Sequence, residues 1–167
     1  MEKIILIMFL SLVSCGSSKQ DNAKIKSGYN DKIVSAYDNI AKNYKSKIVV
    51  SNEMVNIDIV NFTEKIAEKQ GKKMSVVLDS LIKLKERNKY EPKQYPIKEL
   101  VKNMNKTGAL KIFFSEPKEE YVMVEVFEID DEKDYEKLTM FGSSDVYLLY
   151  FKGKQILSMY KIKLDYN

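Results

Sequence analysis

The 167-residue chain contains no histidine and no tryptophan, one cysteine (Cys15) and one arginine (Arg87), with six glycines and three prolines. Without histidine there is no Ser-His-Asp or Cys-His nucleophile system, no ordinary zinc site and no imidazole base titrating near neutrality. A lone cysteine forms no intramolecular disulfide. What remains is chemistry run by carboxylates, lysines, tyrosines or a serine-lysine pair. No cofactor is implied by any residue pattern. Nucleic-acid readers favour arginine for bidentate contacts, so a single arginine argues against a nucleic-acid partner.

What is present begins with Lys3 and an apolar run from Ile4 to Val13. That run has the length of a secretory h-region and is too short to cross a bilayer, which takes about 20 apolar residues. Leu12, Val13, Ser14, Cys15 and Gly16 close it, and no Ala-x-Ala-like cleavage site is present. The segment resembles the signal of bacterial lipoproteins. The resemblance covers residues 1–15 and implies cleavage before Cys15, a diacylglyceryl group on its sulfur and an acylated new amino terminus. Two or three acyl chains hold a protein stably on a membrane, where one binds only marginally. Gly16 in place of Asp implies, by Gram-negative sorting, the outer membrane facing the periplasm rather than the inner membrane. The alternative is a short apolar strand or helix with an incidental buried cysteine. The expected organisation is a signal peptide over 1–14, a lipidated cysteine and flexible tether over 15–27, and one domain over 28–167. A coil of about 12 residues reaches roughly 20 Å.

Charge is uneven. Residues 1–108 hold 20 basic and 12 acidic residues, net +8, and residues 109–167 hold 8 and 12, net −4, matching the overall +4. The basic half reads as a solvated lysine-rich surface that could lean toward anionic headgroups.

Ile33, Tyr37, Ile40, Ala41 and Tyr44 keep helical spacing, with Asn30 as an N-cap candidate. Ile48 to Val50 look extended. Val55, Ile57 and Ile59 alternate as in a strand, whereas Val55, Ile59, Phe62 and Ile66 fit a helix. The longer pattern predicts a helix from about Glu53 to Gln70, stopped by Gly71. Met74, Val77, Leu78, Leu81, Ile82 and Lys85 predict another, and Pro96 starts a short helix with Ile97, Leu100, Val101 and Met104 on its face and Gly108 beyond its end. From Ala109 the period becomes two: Leu110 to Phe114, Tyr121 to Ile129, a short candidate strand at Thr139 to Phe141, then Val146 to Lys152 and Gln155 to Leu164 around the Gly153-Lys154 turn. The expected fold is α+β, N-terminal helices packed on a C-terminal antiparallel meander of four or five strands. By architecture alone it is similar to nuclear-transport-factor-2-like and cystatin-like domains, a likeness that carries no function.

Two features could carry a site. Asp130, Glu132 and Asp134 crowd a turn, but an EF-hand loop needs glycine sixth, and counting from Asp130 that residue is Tyr135, so a solvated loop is the plainer reading. On the strands, Tyr121, Met123 and Phe127 alternate with Val122, Val124 and Val126, and Tyr147, Leu149 and Phe151 alternate with Val146, Leu148 and Tyr150. Both sheet faces are therefore apolar. Either helices cover both, or one face presents an aromatic binding surface of Tyr121, Met123, Phe127, Tyr147, Leu149 and Phe151. Lys161, Lys163 and Asp165 give the last strand one wet face. The expected function is a non-catalytic envelope lipoprotein binding a protein partner or small ligand through its sheet. Alternatives are an assembly accessory of an envelope complex and a hydrolase of envelope glycan that uses two carboxylates.

Overall fold

Alternating side chains in the second half build the sheet, and the helical first half supplies its cover. The computed structural model describes residues 17–88, 93–101, 107–129 and 134–166, with side chains from residue 28 onward. In order these form α1 (Ser17–Ala41), β1 (Ile48–Met54), a 3-10 turn (Ile59–Phe62), α2 (Thr63–Gln70), α3 (Met74–Arg87), β2 (Lys93–Gln94), α4 (Ile97–Leu100), β3 (Leu110–Phe114), β4 (Tyr121–Glu128), α5 (Tyr135–Phe141), β5 (Ser143–Lys152) and β6 (Gln155–Asp165).

The fold is α+β. A six-stranded sheet runs in the order β2-β1-β3-β4-β5-β6. β3 to β6 form the expected antiparallel meander. Gly153 sits at φ 60 between β5 and β6, a backbone conformation that glycine adopts without a Cβ clash. The sheet gains two strands from the first half: β1 lies parallel to β3, and the short β2 pairs antiparallel with β1 at the edge.

β1 corrects the helix expected over 53–70. Its strand continues to Met54, and the Val55 N–H still donates to the Phe114 carbonyl at 2.9 Å. Val55, Ile57 and Ile59 are all buried, so their alternation is real. Asp58 then accepts from the Val60 N–H at 3.1 Å and opens the 3-10 turn that leads into α2. Gly71, at φ 61, ends α2 where expected.

Three further expectations change. Thr139–Phe141 is the end of helix α5, which starts at an Asp134 N-cap accepting from the Lys137 N–H at 3.0 Å. α1 begins at Ser17, so the helix runs through residues 17–27, where the sequence suggested a coil, and Asn30 lies inside it, its Oδ1 accepting from the Tyr95 hydroxyl at 2.7 Å. α4 spans Ile97–Leu100, and Met104 lies outside the described residues.

Helices cover both faces of the sheet. On the first, Ile33, Ala36, Tyr37 and Ile40 of α1 and Ile97 of α4 pack on Val50, Ile112, Val122, Val124, Tyr147, Leu149 and Phe151. On the second, Phe62 from the 3-10 turn, Ile66 and Ala67 of α2, Val77 and Leu81 of α3 and Leu138 of α5 pack on Phe113, Tyr121, Met123, Phe127, Val146 and Leu148. The result is three layers with a core on each side of the sheet.

α1 is pinned at both ends of the sheet. Near its middle the buried Lys32 ammonium donates to the Lys118 and Glu119 carbonyls at 2.7 and 2.5 Å, and desolvation lowers its pKa while Glu119 partly offsets that. Just past its C-terminus, the Tyr44 hydroxyl reaches Asp145 at the start of β5.

Candidate functional site

The six aromatic and apolar residues proposed as an open face are core. Tyr121, Met123, Phe127, Tyr147, Leu149 and Phe151 are at most 6% exposed. They also fall on opposite sides. The β4–β5 register sets Val124 beside Tyr147 and Val122 beside Leu149, so the β5 group lies under α1 while Tyr121, Met123 and Phe127 lie under α2, α3 and α5. Alternation reveals two apolar faces, but only tertiary packing decides whether each is covered.

The acidic-turn candidate is resolved at one residue. Asp134 caps α5 and pairs with Lys137 at 3.2 Å, and the backbone hydrogen bond from Lys137, then its side chain, lowers the Asp134 pKa. Asp130 and Glu132 lie outside the described residues, as does Cys15. Among the described residues no group of three or more potential metal ligands gathers, and no helix is long and apolar enough to cross a membrane.

The structure instead opens a cleft where α1 stops covering the sheet. A cavity of about 290 Å³ is lined by Tyr44, Leu110, Val126, Glu128, Ser143, Ser144, Asp145 and Lys163. Its floor is a set of register neighbours. Val126 pairs with Asp145, Asp145 with Lys163, and Leu110 with Glu128, so adjacent strands deliver these side chains to one face. The meander was legible, but the cleft needs this register and the point where α1 ends. The wet face of β6 was the one sequence signal that touched it.

One wall is preorganised. The Tyr44 hydroxyl donates to Asp145 Oδ2 at 2.7 Å and lies 2.8 Å from the Tyr147 hydroxyl. With its one proton committed to Asp145, Tyr44 accepts from Tyr147. Lys161 Nζ sits 2.8 Å from the same Oδ2 and within 5.8 and 5.5 Å of the Tyr44 and Tyr147 ring centres. Desolvation, then the hydrogen bonds to Tyr147 and Asp145, raise the Tyr44 pKa. For Lys161, burial pulls the other way, and its bonds and charges with Asp145 and Tyr147 outweigh it, so the ammonium is retained. By contrast the Glu128, Ser143 and Lys163 side chains line the cavity and have no partner among the described residues.

Other features are better explained as structure. Glu125, 0% exposed, accepts from the Tyr135, Ser144 and Tyr166 hydroxyls at 2.7, 2.6 and 2.5 Å, tying α5 and the C-terminal residues to β4. A cavity of about 210 Å³ beside Leu84, Arg87, Lys118, Glu119, Glu120 and Tyr121 has its cations engaged. Arg87 Nε donates to the Lys83 carbonyl at 3.3 Å, and Lys118 pairs with Glu116 at 2.8 Å. Glu116 also pairs with Lys93, and although burial opposes it, the two lysines hold the Glu116 pKa below the usual carboxylate range. No known family profile, no curated protein sequence and no solved structure matches the chain.

Proposed function

We propose that the chain is a lipid-anchored protein of the bacterial envelope whose domain binds a ligand without converting it, and that the recognition surface is the cleft beside Tyr44. The observation that carries the binding half is the contrast within that cleft: Asp145 is fixed by Tyr44 and Lys161, while the Glu128, Ser143 and Lys163 side chains, around a cavity of about 290 Å³, have no partner among the described residues. That volume sits just below the roughly 300–1,000 Å³ of small-molecule sites, so the occupant is compact or is one end of something longer.

Two carboxylates do line this cleft, which is the minimum a glycan hydrolase needs. Asp145 is occupied by a hydroxyl and an ammonium, and Glu128 is exposed at the rim, outside the apolar enclosure that makes a general acid. Binding is therefore favoured over hydrolysis.

The anchoring half rests on residues 1–15. Cys15→Ser is expected to leave the precursor uncut and unlabelled by fatty acid in growing cells; a mutant still processed and still labelled overturns it. For the cleft, amide hydrogen exchange of the full chain in detergent is expected to slow around 126–128 and 143–145 when a cell-envelope extract is added. Protection confined to other segments removes the cleft from the reading.

A further inference from the structure

Nearly half of α1 precedes the residues that hold it to the domain. Those residues are consecutive: the Tyr95 hydroxyl donates to Asn30 Oδ1 at 2.7 Å, Lys154 Nζ pairs with Asp31 at 2.9 Å, and Lys32 donates to the Lys118 and Glu119 carbonyls. Lys154 lies in the β5–β6 turn, and Lys118 and Glu119 lie in the β3–β4 turn, so α1 meets the sheet at its hairpin end. Just past the other end of α1, Tyr44 reaches Asp145 at the start of β5. The helix therefore advances along the strands from the hairpin end to the cleft end, and its first residues lead away from the domain.

Residues 17–28 continue the same helix without a break, and Gly28 keeps a helical backbone inside it. A Cβ placed at Gly28 would meet nothing within 4 Å, so the helix has open space beside it there. From Ser17 to Ser27 the sequence offers only Ala23 and Ile25 as apolar residues, too few for a buried face of its own. The segment is helical because α1 is already nucleated on the sheet, and extending a nucleated helix costs only propagation. At about 1.5 Å per residue, the stretch from Ser17 to Asp31 carries the chain about 21 Å. A coil of that length has a similar r.m.s. reach, roughly 20 Å. What the helix changes is direction: a coil lets the domain fall back on the lipid in any orientation, and a helix does not.

We infer that the first half of α1 is a stiff mast, which turns the hairpin end of the sheet toward the bilayer, holds it about 20 Å off, and carries the cleft on the far side. The inference rests on anchoring through Cys15, two residues before the helix begins. At that stand-off the lysines of the hairpin end are more than two Debye lengths of about 8 Å from the headgroups, so attraction to anionic lipid does not set the orientation. The mast does. Asp145 lies seven residues along β5 from Lys152, about 24 Å farther out. Lipids of the anchoring leaflet cannot reach that far, so the partner the cleft meets is one borne in solution, on the wall or on an opposing surface.

Because Cys15 is the sole cysteine, a second one introduced into the acylated chain is its only free thiol. A donor dye is placed at Lys152→Cys or at Asp165→Cys, exposed positions at opposite ends of the β5–β6 pair, and the cell-derived protein is reconstituted into vesicles carrying an acceptor lipid. Energy transfer is expected to be at least about threefold greater from position 152, since the two sites differ by about 30 Å in height. Lys24→Pro, which breaks a helix interior, is expected to bring the two efficiencies together. Adding anionic lipid or salt is expected to leave their ratio unchanged. Equal transfer from the two sites, greater transfer from 165, a ratio that survives Lys24→Pro, or one that appears only on anionic vesicles overturns the mast. Spin labels at Ser17→Cys and Lys152→Cys in the full chain in detergent test the stiffness without lipid: a narrow distance distribution at about 20–30 Å is expected, and a broad one overturns it. A narrow distribution in a chain that does not associate with vesicles overturns the orientation instead, through the failure of the anchor.

Discussion

Phe127→Ala is expected to lower the unfolding free energy by about 3–5 kcal/mol, a large share of the roughly 5–15 kcal/mol that holds a domain together. The ring is 1% exposed and sits at the centre of an aromatic cluster. Its centroid lies 6.0 Å from Phe113 and 5.9 Å from Tyr135, both edge-on, and 6.1 Å from Tyr166, stacked. Removing it opens a cavity and also loosens the two tyrosines whose hydroxyls hold Glu125. Phe127→Leu, which keeps most of the volume, is expected to cost well under half as much. Urea unfolding decides the matter: the midpoint should drop sharply with the m-value unchanged. A loss of less than about 1 kcal/mol for the alanine variant would mean that α5 and Tyr166 do not cover this ring.

The second large effect is alkaline. Burial, reinforced by hydrogen bonds and nearby negative charge, raises the pKa of Tyr44, Tyr135 and Tyr166. Tyr150 is pushed up to about 12, first by desolvation and then by Tyr160, Tyr121 and Glu120. A tyrosine whose folded pKa exceeds its unfolded value near 10 favours the fold fully below pH 10 and withdraws that support as pH rises above it. Each such group steepens the loss by at most about 1.4 kcal/mol per pH unit, and less where a half-buried ring meets solvent. With four acting together, stability should be flat in this respect up to about pH 10 and then collapse within one to two pH units. Parallel denaturation and tyrosinate absorbance titrations check it. Tyrosinate forming near pH 10 in a chain that stays folded would show these hydroxyls to be free of their partners. Tyr44→Phe and Tyr166→Phe should each lower the stability below pH 10 and make the loss above it shallower.

How far the sequence could be read follows from which signals are local. β3 to β6 are set by short-range alternation and by Gly153, and they were legible. α3 was legible in position, yet Met74 and Ile82, assigned to its apolar face, are 56% and 40% exposed. Ile48 to Val50 were legible as extended, but the stretch from Glu53 to Phe62 was not, because buried residues at 55, 57, 59, 62 and 66 satisfy both periods and the arbiter is a hydrogen bond to β3, more than fifty residues away in sequence. α5 was missed because seven residues barely exceed one helical repeat of pattern, although its Asp134 cap was visible as an acidic residue. The alternative of a doubly covered sheet was already open from the strands alone, since both their faces are apolar. Helix placement then decided it, and the same placement left the cleft uncovered.

The parallel pairing of β1 with β3 bears on the order in which the molecule assembles. β1 ends at Met54 and β3 begins at Leu110, so 55 residues separate two adjacent strands, whereas β5 and β6 are joined by two. Loop closure of that length is entropically costly before any contact rewards it, while the β5–β6 hairpin closes locally. The C-terminal meander therefore has every kinetic reason to form first and to serve as the template on which β1, α2 and α3 settle. Until residue 110 and beyond are available, β1 has no parallel neighbour, and a nascent N-terminal half lacks the sheet it docks against. Completion of the fold is in this sense controlled from the C-terminal end, although the chain is made from the other.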